Sequence, residues 1–129
     1  MYRLCFSLPL RDPERLRFGV EQLVRALVAM NVLYLLNTDA PPLYESGVVY
    51  RPDASRGPEE QWWTIPTVLR VGGADCKALA AWRVAELQAA GVWAEPIVRQ
   101  YRQNGGTLQH VIVATPWGIE DPSAELGMR

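Results

Sequence analysis

The sequence predicts one α+β domain, and three features of the chain lead to this prediction. An amphipathic stripe near the N-terminus indicates a long helix, a segment rich in Ala and Leu indicates a second helix, and β-rich runs separated by turn signals come after it. The expected order is therefore helix, long loop, helix and three antiparallel strands. The 129 residues, of which 49% are apolar and 21% charged, provide one ordinary globular core.

The first helix has a clear start signal. Asp12 is a capping residue, Pro13 suits the first helical position, and Glu14 places an acid in the first turn. Apolar side chains then recur at helical spacing, at Leu16, Val20, Leu23, Leu27, Met30 and Tyr34. We expect an extra N-terminal helix over about residues 13–36 that packs on the core and carries no chemistry.

A long loop is expected over residues 37–66, where Pro, Gly, Asp and Ser are frequent, with a short strand at Val48–Tyr50. So long a segment without regular structure is unusual in a small domain and is often a lid or a binding loop. Trp62 and Trp63 lie near its end, and for each of them covering the core is favoured over lining a substrate groove.

The rest of the domain, a core of about residues 65–128, contains the second helix and the strands. Cys76–Ala90 is predicted as a helix, with Gly91 as its C-terminal cap. Three strands are predicted after it, separated by turn signals: Val92–Arg102, Leu108–Thr115 and Ile119–Asp121. Pro96 indicates an edge position or a bulge for the first strand, because proline has no N–H to donate to a ladder.

Charge and hydropathy exclude several classes of protein. The formal net charge is −1 and no Lys/Arg cluster stands beside stacking aromatics, so neither nucleic acid nor a membrane is an expected partner. The best apolar run, Ala26–Leu36, is interrupted by Asn31 and is too short to span a bilayer. Without signal-peptide features, the protein is expected in the cytoplasm, where Cys5 and Cys76 stay reduced. A structural disulfide is the less favoured alternative.

No metal or cofactor is expected. Two widely separated cysteines and one histidine do not form a zinc-binding pattern. The chain also has no Walker loop, no dinucleotide-binding glycine pattern and no Gly-x-Ser-x-Gly elbow. Glu59, Glu60 and Glu86 are interpreted as solvated charges rather than as a carboxylate pair.

Cys76 is the candidate nucleophile. It follows the turn Gly72–Asp75, which lacks bulky side chains and lets another molecule's backbone approach, and it begins a helix. Free N–H groups at a helix start lower the pKa of a thiol and are suited to bind an oxyanion. Asp75 is expected to cap this helix. A buried, inert cysteine is the alternative, and Cys5, which lacks a comparable setting, is expected to be packed.

His110 is the only histidine and the candidate base. It lies in the middle of a β-rich run, where a lone histidine is more often a satisfied surface or core residue than a catalyst. Asp121 favours the catalytic interpretation, because a tight hairpin would bring its carboxylate within a residue or two of His110. There it would fix the tautomer of the ring and stabilise the imidazolium.

These segments resemble a known superfamily. The runs Gly72–Ala80 and Gly91–Pro96, then His110 and the pair Asp121–Pro122, are similar in type and order to four features of the transglutaminase-like, papain-type thiol enzymes. Those features are a Gly-x-Cys helix start, a Gly-Ile-x-Ala strand start, a strand histidine and an Asp-Pro pair. The resemblance covers about Ile65 to Met128, roughly half of the chain.

The resemblance implies a fold and a set of roles. The fold would be papain/transglutaminase-like, with the nucleophile helix packed on a small antiparallel sheet, and Cys76, His110 and Asp121 would form the catalytic triad. Small transglutaminase-like proteins encoded in phages and prophages are also similar, including at Pro41–Val48.

Two departures from the family pattern concern the surroundings of the triad. Lys77 follows the nucleophile where phage relatives often have an acidic or small residue, and a cation there would support the thiolate. Val111–Ile112 follows the histidine in place of the usual Ala-Trp. Gln61 and Trp62, just upstream, are candidates for additional oxyanion or substrate binding.

The expected activity is acyl transfer or hydrolysis on a peptide, isopeptide or glutamine amide bond of a protein or peptide substrate, through a cysteine acyl-enzyme. Water as acceptor gives a cysteine protease or amidase, and an amine gives a transglutaminase. Hydrolysis is favoured, because so small a chain has little room for a second subsite. The alternative is a phage structural, morphogenesis or binding protein on the same fold with a vestigial site. The oligomeric state is left open.

Overall fold

The structure, a computed structural model of the chain, describes residues 12–52, 61–103 and 106–128. These residues form an α+β fold, as the sequence predicts. The helices are α1 (Pro13–Leu36), α2 (Ile65–Val71), α3 (Cys76–Ala89) and α4 (Pro122–Glu125), with a 3-10 turn at Leu43–Glu45. The strands are β1 (Val49–Tyr50), β2 (Gly73–Ala74), β3 (Glu95–Gln103), β4 (Gly106–Thr115) and β5 (Gly118–Glu120).

Helix α1 has the predicted bounds because its start signal is local. The Asp12 side chain accepts the N–H of Glu14 at 2.9 Å, and Pro13 occupies the first turn. One face is buried against the rest of the protein through Val20, Val24, Leu27, Val28 and Asn31. The opposite face leaves Phe18, Leu33 and Leu36 each more than 60% exposed.

By length and composition alone, α1 is also long and apolar enough to cross a membrane. The run Ala26–Leu36 alone is too short for this, whereas the whole helix has 24 residues. Asn31, which interrupts that run, is fully buried and accepts the N–H of Ile65 through Oδ1 at 3.0 Å. Asn31, although it lies within an apolar helix, therefore provides the hydrogen-bond acceptor for the first N–H group of α2.

The three predicted strands form an antiparallel sheet in the order β3-β4-β5. The register pairs Val98 with Val111 and Val113 with Glu120. Strand β3 lies at an edge of this sheet, which agrees with the position predicted from Pro96.

Two apolar clusters hold these elements together. The first joins α1 and α3 to β3 and β4 through Val24, Leu27, Val84, Val98 and Val111, among others. The second surrounds Trp82 on the other side of α3 and packs it against the 3-10 turn, α2 and β2. Truncating a fully buried tryptophan to alanine lowers the free energy of unfolding by about 3–5 kcal/mol. The packing of Trp82 therefore contributes strongly to holding the 3-10 turn, α2 and β2 against α3.

The predicted loop, residues 37–66, contains more structure than expected. Strand β1 pairs in parallel with β2, which the sequence did not predict, and Leu43 is fully buried. Helix α2 begins at the end of the predicted loop and is short, with Gly72 at φ +84° as its C-cap. Residues 53–60, with Glu59 and Glu60, lie outside the described residues, as do Cys5 and the other residues of 1–11.

Candidate active site

Cys76 is the first residue of α3 and a free thiol. Asp75 caps the helix as predicted, since its side chain accepts the N–H of Ala78 at 3.2 Å. The thiol is partly buried and packs against the cluster that joins α1, α3 and the sheet.

The sulfur of Cys76 lies against strand β4. The backbone N–H groups of Val111 and of Lys77, the next residue of its own helix, favour the charged form of this sulfur. Val111 directly follows His110 on β4, so the thiol lies next to the strand that carries the base candidate. A hydrogen bond between the sulfur and the imidazole itself stays a prediction.

Burial raises the pKa of the Cys76 thiol above its ordinary value. The N–H of Val111 and the ammonium of Lys77 act in the opposite direction, while the carboxylate of Asp75 adds to the increase. The sequence predicted a lowered pKa from the helix start alone. That prediction is wrong because desolvation of the thiolate outweighs the favourable N–H groups.

His110 and Asp121 meet as the sequence predicted. Nε2 of His110 lies 2.8 Å from Oδ2 of Asp121, and both side chains are largely buried. A carboxylate can only accept a hydrogen bond, so Nε2 carries the proton in the neutral ring. Nδ1 is then left with its lone pair, which is the state that a general base requires.

Asp121 has a second role that the sequence did not reveal. It is the N-cap of α4, and its Oδ1 accepts the N–H of Ala124 at 3.3 Å while Oδ2 faces His110. The predicted strand Ile119–Asp121 therefore ends one residue earlier, at Glu120. Each oxygen of one carboxylate has its own donor, and this fixes the rotation of the carboxylate.

The two glycines before the nucleophile serve the fold. Gly72 ends α2 in the left-handed region at φ +84°, which only glycine adopts without strain. A Cβ at Gly73 would lie 2.7 Å from Cδ of Arg51, whose side chain crosses this backbone. The open approach predicted for another molecule's backbone is therefore occupied by Arg51 at Gly73.

Lys77 connects the start of α3 to the predicted substrate-binding segment. Its side chain is 8% exposed, its ammonium pairs with Asp75, and it lies 5.3 Å from the centroid of the Trp62 ring. Trp62 is thus close to the nucleophile helix, as its proposed role requires. Gln61 is exposed and its Oε1 accepts from Trp63 Nε1 at 3.1 Å, so its oxyanion role stays a prediction.

A group of polar side chains next to Asp121 was not predicted from the sequence. Arg83 binds Glu120 and Glu86, and Glu86 also accepts the N–H of Leu43 at 3.0 Å. The interpretation of Glu86 as a solvated charge is therefore wrong, because it satisfies a backbone donor of the 3-10 turn. The i, i+3 spacing of Arg83 and Glu86 on α3 was the signal available in the sequence.

Tyr50 also lies within electrostatic reach of the site. Burial raises the pKa of its phenol, and charge on Cys76 and Asp75 raises it further. The phenol is therefore a neutral hydrogen-bond donor at the pH at which the thiol would act. Nothing in the sequence around β1 had indicated this residue.

Within the described parts of the chain, no group of three or more His, Cys, Asp or Glu side chains is arranged to hold a metal ion. No protein-family model matches the chain, and neither a curated protein nor a solved structure matches it.

Proposed function

We propose that this protein is a transglutaminase-like thiol hydrolase or acyltransferase in which Cys76 is the nucleophile, His110 the base and Asp121 its orienter. The observation that carries the proposal is the 2.8 Å contact between His110 Nε2 and Asp121, on a strand whose Val111 N–H favours charge on the Cys76 sulfur. A positioned base that is itself oriented by a third group is the recurring arrangement of nucleophilic catalysis.

The chemistry proceeds in two half-reactions. Nδ1 of His110 takes the proton of the Cys76 thiol while the sulfur attacks an amide or ester carbonyl. The carbon–nitrogen or carbon–oxygen bond then breaks, His110 returns the proton to the leaving amine or alcohol, and an acyl-enzyme remains. Water or an amine then attacks the thioester carbonyl and gives a proton to His110. The carbon–sulfur bond breaks, the acid or amide leaves, and His110 returns the proton to the sulfur.

The raised pKa of Cys76 bears on how the thiol is activated. Burial favours the protonated thiol, so removal of this proton by His110 is part of the proposed reaction. This makes the reaction depend on His110 more strongly than in an enzyme with a preformed thiolate. The N–H groups of Val111 and Lys77 then stabilise charge on the sulfur as it develops.

Peptide or isopeptide hydrolysis is the proposed overall reaction, with a protein or peptide as substrate. The alternative from another class, an assembly or binding protein with a vestigial site, needs no reaction at Cys76. The two proposals differ in one measurable product, the acyl group on the sulfur.

The test is to treat the full chain with p-nitrophenyl acetate, a glutamine peptide and an isopeptide, and to locate acyl groups by mass spectrometry. We expect an acyl group on Cys76, turnover of at least one donor, and no adduct in Cys76→Ala. Cys5→Ser is the matched control and should keep the adduct. An added alkyl primary amine distinguishes transfer, which gives its amide, from hydrolysis, which gives the free acid.

His110→Ala should slow acylation by about 10²–10⁴-fold, the usual contribution of a general base. Equal acylation of Cys76 in the native chain and in His110→Ala would refute the proposed mechanism. If no donor acylates Cys76 at all, the alternative of a vestigial site is favoured.

A further inference from the structure

The carboxylate of Glu120, the residue before Asp121, receives four hydrogen bonds. Arg83 donates Nε to Oε1 at 2.9 Å and Nη2 to Oε2 at 3.2 Å, a bidentate pairing. The hydroxyl of Tyr44 donates to Oε1 at 3.0 Å, and Nε1 of Trp117 donates to Oε2 at 3.1 Å. Both oxygens are thus held from three separate segments of the chain.

Arg83 lies on the same face of α3 as Cys76. The two residues are seven positions apart, about two helical turns, so their side chains project from the helix in nearly the same direction. Cys76 reaches β4 at Val111, and Arg83 reaches the end of β5 at Glu120. One helix face therefore contacts the strand that carries the proposed base and the strand that ends immediately before its orienter.

Local structure around Asp121 is too short to hold it alone. Strand β5 has three residues and pairs with β4 only at residues 113–115, and α4 has four residues. Helices of one turn are marginal without tertiary contacts. The bidentate contact with Arg83 supplies such a contact at the residue immediately before Asp121.

The charges of this cluster are compatible with a permanent ion pair. Burial alone would raise the pKa of Glu120, but the donors Arg83, Tyr44 and Trp117 outweigh it, and the pKa is lowered. Arg83 is further held by Glu86 and stacks over the Tyr44 ring at 5.0 Å. The pair is thus ionised and has a fixed geometry.

We propose that Glu120, held by Arg83, is a positioning residue that sets the contact between Asp121 and His110. This inference rests on the proposed function, since it assigns Glu120 a place in the same site. The Arg83–Glu120 ion pair connects α3, which begins with Cys76, to the end of β5, which directly precedes Asp121. Loss of the Arg83–Glu120 ion pair should therefore change the tautomer of the His110 imidazole as well as lower the free energy of unfolding.

The experiment uses the single histidine of the chain, because its imidazole signals need no assignment. Long-range ¹⁵N–¹H spectra, recorded at a pH where the ring is neutral, report which nitrogen carries the proton. In the native protein we expect Nε2 to be protonated and Nδ1 bare. In Glu120→Ala we expect a mixture of the two tautomers, and acylation of Cys76 slowed by between about tenfold and 10²-fold.

Two further variants separate positioning from stability. Glu120→Gln keeps the side-chain volume and one acceptor, so it should lie between native and Glu120→Ala, and it decides the question if Glu120→Ala does not fold. Glu21→Gln removes the carboxylate from another Glu–Arg pair, Glu21 with Arg25 at 3.1 Å on α1, and should leave the tautomer and the rate unchanged.

The outcomes are distinct for the two proposals. A native tautomer and native acylation in folded Glu120→Gln and Glu120→Ala would overturn the positioning role. A native protein without any acylation would refute the proposed function. In that case a tautomer change in the Glu120 variants would still establish that Glu120 orients His110 through Asp121.

Discussion

His110 and Asp121 are joined by a contact of 2.8 Å between Nε2 and Oδ2, and the same carboxylate caps α4 through its other oxygen. One side chain thus links the strand of the candidate base to the last helix. The two roles of Asp121 depend on different atoms, so substitutions can separate them.

Asp121→Asn should reduce acylation of Cys76 by at least about tenfold, because an amide does not stabilise the imidazolium as a carboxylate does. Its stability should stay close to native, since Asn is as good an N-cap as Asp. Asp121→Ala should lose the activity and also about 1 kcal/mol of stability. Initial acylation rates and urea unfolding measure the two effects. Native acylation by Asp121→Asn would exclude a role as orienter.

The reaction of Cys76 with iodoacetamide should be slow at neutral pH. Because burial raises the thiol pKa, the thiolate forms only above the ordinary value of about 8.5, and the alkylation rate should still rise beyond that pH. Peptide-resolved mass spectrometry across pH 6–10 gives this profile for Cys76 alone. A rate that is already at its plateau near pH 6 would mean a preformed thiolate and contradict the burial argument.

The raised pKa of the Cys76 thiol also predicts how the stability of the protein changes with pH. A group whose pKa is higher in the folded state stabilises the fold fully below its unfolded pKa, and this contribution is lost as the pH rises through the folded value. Native protein should therefore lose stability relative to Cys76→Ala as the pH rises above the ordinary thiol pKa of about 8.5. Urea unfolding of both proteins at three pH values tests the sign. A stability difference that is independent of pH would be evidence against it.

Lys77→Met should destabilise the protein by about 3 kcal/mol, because it removes the ammonium from the buried carboxylate of Asp75. The double variant Asp75→Asn with Lys77→Met should recover part of this loss, since the amide needs no counter-charge and still caps α3. Lys77→Arg is the charge-preserving control. Additive losses in the double variant would show that the pair is not coupled.

Asn31→Leu should cost about 1–3 kcal/mol, although it makes α1 more apolar. The substitution leaves the N–H of Ile65 buried without the Oδ1 acceptor it has at 3.0 Å. Leu33→Asn, on the exposed face of the same helix, is the matched control and should change stability by less than about 0.5 kcal/mol. Comparison of urea midpoints checks both, and a stabilised Asn31→Leu would refute this role.

Much of the fold was predictable because its signals are local. The cap at Asp12 and the apolar spacing defined α1, and Asp75 with Gly91 bounded α3 within one residue. The order of the three strands also followed, since short turns leave adjacent runs little choice of partner. The parallel pair β1 and β2 was not predictable, because two-residue strands from distant segments leave no periodicity to detect.

The sequence indicated which residues belong to the candidate site, but it did not predict the direction in which the pKa of the Cys76 thiol is shifted. Residue types and order indicated Cys76, His110 and Asp121, and the hairpin brought the last two together. The state of the thiol could not be predicted from the helix start. It depends on how much water the packing of α1, α3 and β4 leaves around the sulfur.

By itself, the sequence determined the helices and strands with strong caps, turns and periodicity, and it indicated Cys76, His110 and Asp121 as candidates for thiol chemistry. These properties depend on neighbours along the chain. Only the tertiary structure decided that the thiol is desolvated, that Arg51 lies over Gly73, and that Arg83 holds Glu120 beside Asp121. Desolvation and long-range pairing are set by segments that meet only after folding, so no local pattern encodes them.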